Sequence, residues 1–433
     1  MQAIYAERRE KVLRAIGPAG VMVLPAAPLM IRNGDVEHEY RQDSDVYYLT
    51  GFDEPESVVV LGGAGDHAFT LFVRPRDPER EVWDGARAGV DGARERFGAA
   101  AAFPIAELEQ KLFELITNRE RLYYRLGQNR AFDELMLRAI DRVRGRAKLG
   151  VSWPTQIVEP GTVLHEMRLF KSDDELAAMR RAIAISRDAH VEAMARSVPG
   201  MHEFEVEALL RATFRAGGAE RPAYAPIVGS GPNATVLHYR RNNRRLEAGD
   251  LLLIDAGCEF EYYASDITRT FPVSGQFTRE QREIYEIVLR AQLASIDATR
   301  PGATLDDVHR ESVRVITEGL IGLGLVRGPL ESAIEEQRFK PYFMHKTSHF
   351  LGMDVHDVGS YFLNGKARAL APGMVITVEP GIYVAENAAD APAEYRGIGV
   401  RIEDDVLVTV EGAEVLSAAV PKLTAEIDRA CAA

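Results

Sequence analysis

LLLIDAGCEFEYYASDITRTFPV, residues 251 to 273, contains two apolar and aromatic runs that read as antiparallel strands. The first run ends in Asp255, the chain turns near Phe260 and Glu261, and a second run rich in aromatic and β-branched residues returns through Asp266. With Phe260 and Glu261 as a two-residue loop, Asp255 and Asp266 face each other. Directly opposed residues have Cβ atoms roughly 4.5 to 5.5 Å apart, and like charges at that distance repel unless a cation lies between them. A lone aspartate pair in a hairpin is more often a turn cap and a solvated side chain, so the case for metal rests on the rest of the chain.

Outward from this stretch, helix signals alternate with strand-like runs. Ser172 with Glu175 forms a capping-box signature ahead of Leu176, Met179 and Ile183, and Met201 to Ala216 reads as a second helix. Thr278 with Gln281 opens a third helix and Thr304 a fourth. Strand-like VITVEPGIYV and GVRIEDDVLVTV follow, so this part is α+β with antiparallel sheet and helices on its outer face. In GVRIEDDV, Val400 and Ile402 alternate with Arg401 and Glu403, which puts the two charged side chains on one face of a continuous strand.

The earlier part of the chain alternates differently. GVMVLPA, SVVVLGG, AFTLFV and RLYYRLG read as short strands between an opening helix, a helix in IAELEQKLFELI and another from about Asn129 to Arg144, which is an α/β pattern. Periodicity lapses between Arg144 and Ser172, where Pro154 and Pro160 break it, and the domain boundary is expected near residue 165. The expected domains are therefore 1–165 and 166–433. A chain of 433 residues is also too long for one hydrophobic core.

Composition narrows the function class. A formal net charge of -13 disfavours nucleic acid, which needs a clustered basic surface. No run of 18 apolar residues suggests a membrane span, and the N-terminus lacks the apolar core of a signal peptide. With Cys258 and Cys431 as the only cysteines, a disulfide framework is not expected and a reducing cytoplasm fits.

Three further stretches carry chemistry. HKTSHFLGMDVHDVG holds His345, His349 and His356; Glu379 precedes Pro380 and Gly381; Arg401 and Glu403 lie in the last strand. The order Asp, Asp, His, Glu, Glu within IDAGCEF, SDITRTFPV, HFLGMDVHDVG, VEPGIYV and RIEDD resembles the pita-bread metallopeptidases of family M24, and specifically the aminopeptidase P (Xaa-Pro aminopeptidase) family. GSGPNATVLHY, NGDVEHEYRQDSDVYYLTGFDEPE and EVWDGARAG are similar to that family's segments too, so the resemblance spans the whole chain.

That resemblance implies a creatinase-like N-terminal α/β domain followed by a catalytic pita-bread domain. It implies two divalent metal ions per chain: Asp255 as a terminal ligand of one, Asp266 and Glu403 bridging both, and His349 and Glu379 completing the other. Four carboxylates balance two divalent cations, and an oxygen-rich set with one imidazole suits manganese. By the same resemblance His238 and His356 line the substrate site as donors to the scissile carbonyl, and Glu379 also shuttles a proton. His345, Tyr383 and Arg401 are substrate-pocket candidates. Lys346 departs from the glycine of the family's histidine motif.

The implied substrates are peptides with proline in the second position, and the implied assembly is a homo-oligomer, dimer or tetramer. Trp83 is a candidate for a subunit contact or the substrate rim. A prolidase limited to Xaa-Pro dipeptides is the near alternative, and a pita-bread domain acting without metal as a binding module is the alternative of another class. Methionine aminopeptidases commonly lack such an N-terminal domain.

Overall fold

A computed structural model describes residues 2–62 and 67–432, so Met1 and the last residue of the run SVVVLGG, Gly63, lie outside the described residues. The chain divides into two compact units, Met1–Glu166 and Met167–Ala433.

In the first unit, the apolar runs are buried almost throughout, as expected of strands covered on both faces. They form a six-stranded sheet in the order Ala101–Pro104, Phe69–Val73, Val58–Gly62, Gly20–Pro25, Arg121–Tyr123, Gln156–Val158. Val58–Gly62 runs antiparallel to both neighbours, and every other pairing is parallel. Val21, Val23, Val58 and Val60 pack with Leu112, Phe113 and Ile116 of the helix Leu108–Ile116 and with Met136, Ile140 and Val143 of Arg130–Arg144. Asn129 caps the latter helix by accepting the Phe132 N–H.

The second unit starts its helices where side chains can satisfy the first-turn N–H groups. Ser172 and Glu175 cap Asp173–Arg196 reciprocally, Thr278 and Gln281 cap Arg279–Ala298, and Thr304 and Asp307 cap Leu305–Gly322. Val206, Leu210, Ile284, Val288, Ile316 and Leu320 from these helices and Glu203–Ala216 join Leu252, Ile254 and Phe271 of the sheet in one core.

Two details of the strands differ from the sequence reading. The hairpin turns at Glu261 and Tyr262, both with positive φ (48° and 69°), one residue later than expected. Phe260 therefore pairs with Tyr263 and Asp255 with Thr268, so Asp266 lies diagonally from Asp255 on the same face. The turn carries the backbone signature of a two-residue hairpin without the Asn or Gly that normally announces it. The second difference is that neither later strand is continuous. Val375–Val378 pairs with Asp404–Val408, whereas Gly381–Tyr383 pairs with Gly399–Arg401. Glu379 and Glu403 stand in the two breaks.

Next to Glu403, Arg269 and Asp404 form an ion pair at 2.7 Å with both side chains fully buried. Lys422 takes the other Asp404 oxygen at 2.6 Å, and Arg269 also donates to the carbonyls of Thr268, Glu403, Val420 and Pro421. Burial alone would raise the Asp404 carboxyl, but Arg269 and Lys422 outweigh it and hold the carboxyl well below the usual range. Its stabilisation is thus complete above the ordinary carboxylate pKa of about 4 and is lost as pH falls through the lower folded value. Replacing Arg269 by Ala leaves a buried charge short of its partner and is expected to cost about 3–5 kcal/mol in urea denaturation at pH 7. A loss below about 1 kcal/mol would show that Lys422 alone suffices.

Candidate metal centre

Each acidic side chain of the centre projects from a place where the backbone stops pairing regularly. Asp255 ends the strand Leu251–Asp255, and Asp266 lies between Tyr263–Ala264 and Thr268–Pro272. Glu379 and Glu403 occupy the strand breaks, their N–H groups taken by the carbonyls of Thr347 and Thr268 at 2.8 and 3.1 Å. The His349 Nδ1 lies 3.0 Å from the Phe350 carbonyl, so Nδ1 carries the donated proton and Nε2 faces the carboxylates. Asp266 is 3.4 Å and Glu379 3.7 Å from that Nε2. Ligand atoms of Asp266, His349 and Glu403 all lie within 4.8 Å of one another.

Around them is a hydrogen-bonded layer. The Tyr224 hydroxyl lies 2.6 Å from Asp255 and 2.5 Å from Asp266, joining the two aspartates. Arg401 donates to the other Asp255 oxygen at 2.6 Å, to the Tyr383 hydroxyl at 2.9 Å and to the Thr268 hydroxyl at 3.2 Å. Thr268 in turn donates to Glu403 at 2.6 Å. His345 gives its Nδ1 proton to the Lys346 carbonyl, so its Nε2 accepts from Tyr383 at 2.8 Å. Asp255, Arg401, Tyr383 and His345 thus form one polar chain that returns to the centre, where His345 lies 3.9 Å from Glu379.

The electrostatics of the centre are those of crowded acids. Burial, followed by Asp266, Glu379 and Asp255, pushes Glu403 well above the usual carboxylate range. Burial is also the first cause for Glu379, raised to about 7, and for Asp266. For His349 burial acts the other way, yet Asp266 and Glu379 raise the imidazole to about 9. Carboxylates that resist ionisation because of burial and of one another are a site short of positive charge, and cations relieve the repulsion. Four carboxylates and one imidazole without a thiolate suit divalent ions that favour oxygen. The residues present therefore fit a metal centre.

The remaining sequence candidates are placed as follows. The His356 ring lies 4.4 Å from the His349 ring and is exposed. His238 is also exposed, and its charge acts on both His345 and His356. Burial, then Arg401, lowers His345 to about 4. Lys346 points outward, 3.3 Å from Asp306. In the first unit Trp83 is 84% exposed. Sequence reasoning missed Tyr224, Thr268 and Asp405, whose carboxylate accepts the Asp266 N–H at 3.2 Å. Thr268 and Asp405 were open to detection by two-residue spacing from Asp266 and Glu403. Tyr224 lies in ERPAYAPIV, where no local pattern marks it.

Comparison with known proteins agrees with this geometry. Residues 177–410 match the family model described as Metallopeptidase family M24, and residues 5–123 match Aminopeptidase P, N-terminal domain. The chain belongs to metallopeptidase family M24. Its second unit has the pita-bread fold of that family, behind an α/β N-terminal domain of the aminopeptidase P type. Within M24 it is similar to the Xaa-Pro aminopeptidase of Escherichia coli, 43% identical over 98% of this chain and 96% of the relative. The structure of the Pseudomonas aeruginosa aminopeptidase PepP aligns with a TM-score of 0.98 at 49% identity, covering 100% of this chain and 98% of that one. A zinc-substituted E. coli aminopeptidase P in complex with product aligns at 0.96 and 42%, covering 100% and 98%.

An M24 centre of this kind stabilises the fold by mass action when metal binds. Protein stripped of metal is expected to gain roughly 2.7 kcal/mol when a divalent cation is supplied at 100 times its Kd. Asp266→Asn should abolish most of that gain while keeping the metal-free melting temperature near wild type. An unshifted melting temperature in the parent protein, with manganese and with zinc, would refute the centre.

Proposed function

We propose that this chain is a dinuclear-metal exopeptidase that hydrolyses the bond between an N-terminal residue and a penultimate proline. The reading rests on the cluster of Asp266, His349 and Glu403, with Glu379 3.7 Å from His349, in a chain similar over nearly its whole length to proteins named Xaa-Pro aminopeptidase. Asp255, Asp266, His349, Glu379 and Glu403 would hold two divalent ions, manganese by donor type. The ions, when bound, supply Lewis acidity to the reacting water and carbonyl.

The chain's own groups do the rest. Glu379 takes a proton at its carboxylate and returns it to the leaving proline nitrogen. His356 and His238 donate to the oxygen that becomes negative in the transition state. His345, Tyr383 and Arg401 are the substrate-pocket candidates of this reading; Tyr383 and Arg401 are buried, so they act from behind the surface, Arg401 by holding Asp255 in place. Proline is accepted because nothing at the scissile amide has to receive an N–H.

A cytoplasmic location and a homo-oligomer, dimer or tetramer, belong to the same reading. Both cysteines are free, and the exposed pair Val82 and Trp83 offers apolar surface of the kind that subunit contacts cover.

Two measurements test this function. His356→Ala should lower kcat by on the order of 100-fold while both metals stay bound, as expected for a donor that acts on the transition state. Loss of metal would make His356 a ligand, and unchanged kinetics a bystander. In the second, kcat/KM for Xaa-Pro-Xaa should exceed that for Xaa-Pro, and replacing the second-position proline by alanine should cost several orders of magnitude. Preference for the dipeptide would make the protein a prolidase.

A further inference from the structure

His356 sits in an irregular stretch, residues 351–359, and among the described residues its ring makes no hydrogen bond. The ring's aim is set by the backbone beneath it and by the His349 ring packed 4.4 Å away. That backbone is held from behind by two buried cations. Arg168 Nη2 lies 2.7 Å from Asp354 and 2.6 Å from Asp357, so one guanidinium ties together both ends of the four-residue loop Asp354–Asp357. Lys171 occupies the second Asp357 oxygen at 2.9 Å. The side chains of Arg168, Lys171 and Asp357 are 3%, 0% and 1% exposed.

Packing closes the arrangement. A Cβ on Gly352 would come within 2.1 Å of the Asp357 carboxylate and 2.9 Å of the Lys171 side chain, so the glycine lets the loop lie directly on the ion pairs. Asp357 N–H donates to the Phe350 carbonyl, and the Gly352 carbonyl accepts from Ala264, two residues before Asp266. Burying a lysine and an arginine with their partners gains little stability over apolar packing, so their use here calls for a geometric reason.

We propose that Arg168 and Lys171 are positioning residues for His356: they fix the Asp354–Asp357 loop, and through it the direction in which the imidazole points. The inference rests on the role given above to His356. Neither cation needs to touch substrate.

The test is a double-mutant cycle on the manganese-loaded protein with an Xaa-Pro-Xaa substrate. Lys171→Met should lower kcat about 10- to 100-fold, the loss expected of an ångström-scale misplacement. KM should stay within about twofold and both metals should be retained, and Lys171→Arg should recover most of the loss. In a His356→Ala background the same Lys171→Met change should cost less than about twofold, because the group it positions is already gone. If Lys171→Met does not fold, Asp354→Ala cuts the more exposed end of the tie and should show the same pattern. Equal losses in both backgrounds, wild-type kcat in the single variants, or release of metal would overturn the proposal. Wild-type kinetics in His356→Ala itself would instead remove the role assigned to that histidine, and the positioning role with it.

Discussion

Mutual repulsion among Asp255, Asp266, Glu379 and Glu403 is the constraint to which the second unit is built. Burial and neighbouring charge both disfavour ionisation of Asp266, Glu379 and Glu403, so the surrounding structure supplies donors wherever it can. Arg401 serves Asp255, His349 serves Asp266 and Thr268 serves Glu403, while the single Tyr224 proton is shared between the two aspartates. An acid left unserved in such a site would simply take a proton and be of no use to a metal.

Holding these groups together is a long-range problem, since they come from positions 255, 266, 349, 379 and 403. The helical core supplies rigidity on one side, with Leu252, Ile254 and Phe271 packed against it. The site itself lies where the sheets give out, at strand ends and breaks. Backbone N–H groups freed there are taken up at once, Glu379 by Thr347 and Glu403 by Thr268, because buried donors left unpaired cost about 1–3 kcal/mol each.

Features encoded by a few neighbouring residues were legible in the sequence, and those set by distant partners were not. Ser172 with Glu175 and Thr278 with Gln281 announce their helices because a capping box is a four-residue event. The acids and histidines of the centre stand out by type and order. The turn at Glu261 and Tyr262 was misplaced by one residue because its positive φ values fall on residues that do not advertise them. Pro380 hints at the first strand break, whereas nothing in RIEDD betrays the second. Tyr224 is invisible without the fold, since its two partners lie 31 and 42 residues away.

The paired breaks at Glu379 and Glu403 also bear on how the protein tolerates error. In an unbroken strand a slip of one residue carries every side chain beyond it to the opposite face. Here the ladder of Val375–Val378 with Asp404–Val408 ends before the ladder of Gly381–Tyr383 with Gly399–Arg401 begins. Pro380 has no N–H to add to the ladder, but its carbonyl accepts the Ile402 N–H across the break. Both ladders nonetheless keep one register, Val378 opposite Asp404 and Gly381 opposite Arg401, so a slip on either side would displace both glutamates, which have their own anchors to Thr347 and Thr268. Those two anchors pin the shared register at the one place where its own ladder bonds lapse, so the acids, not the flanking strands, fix the alignment.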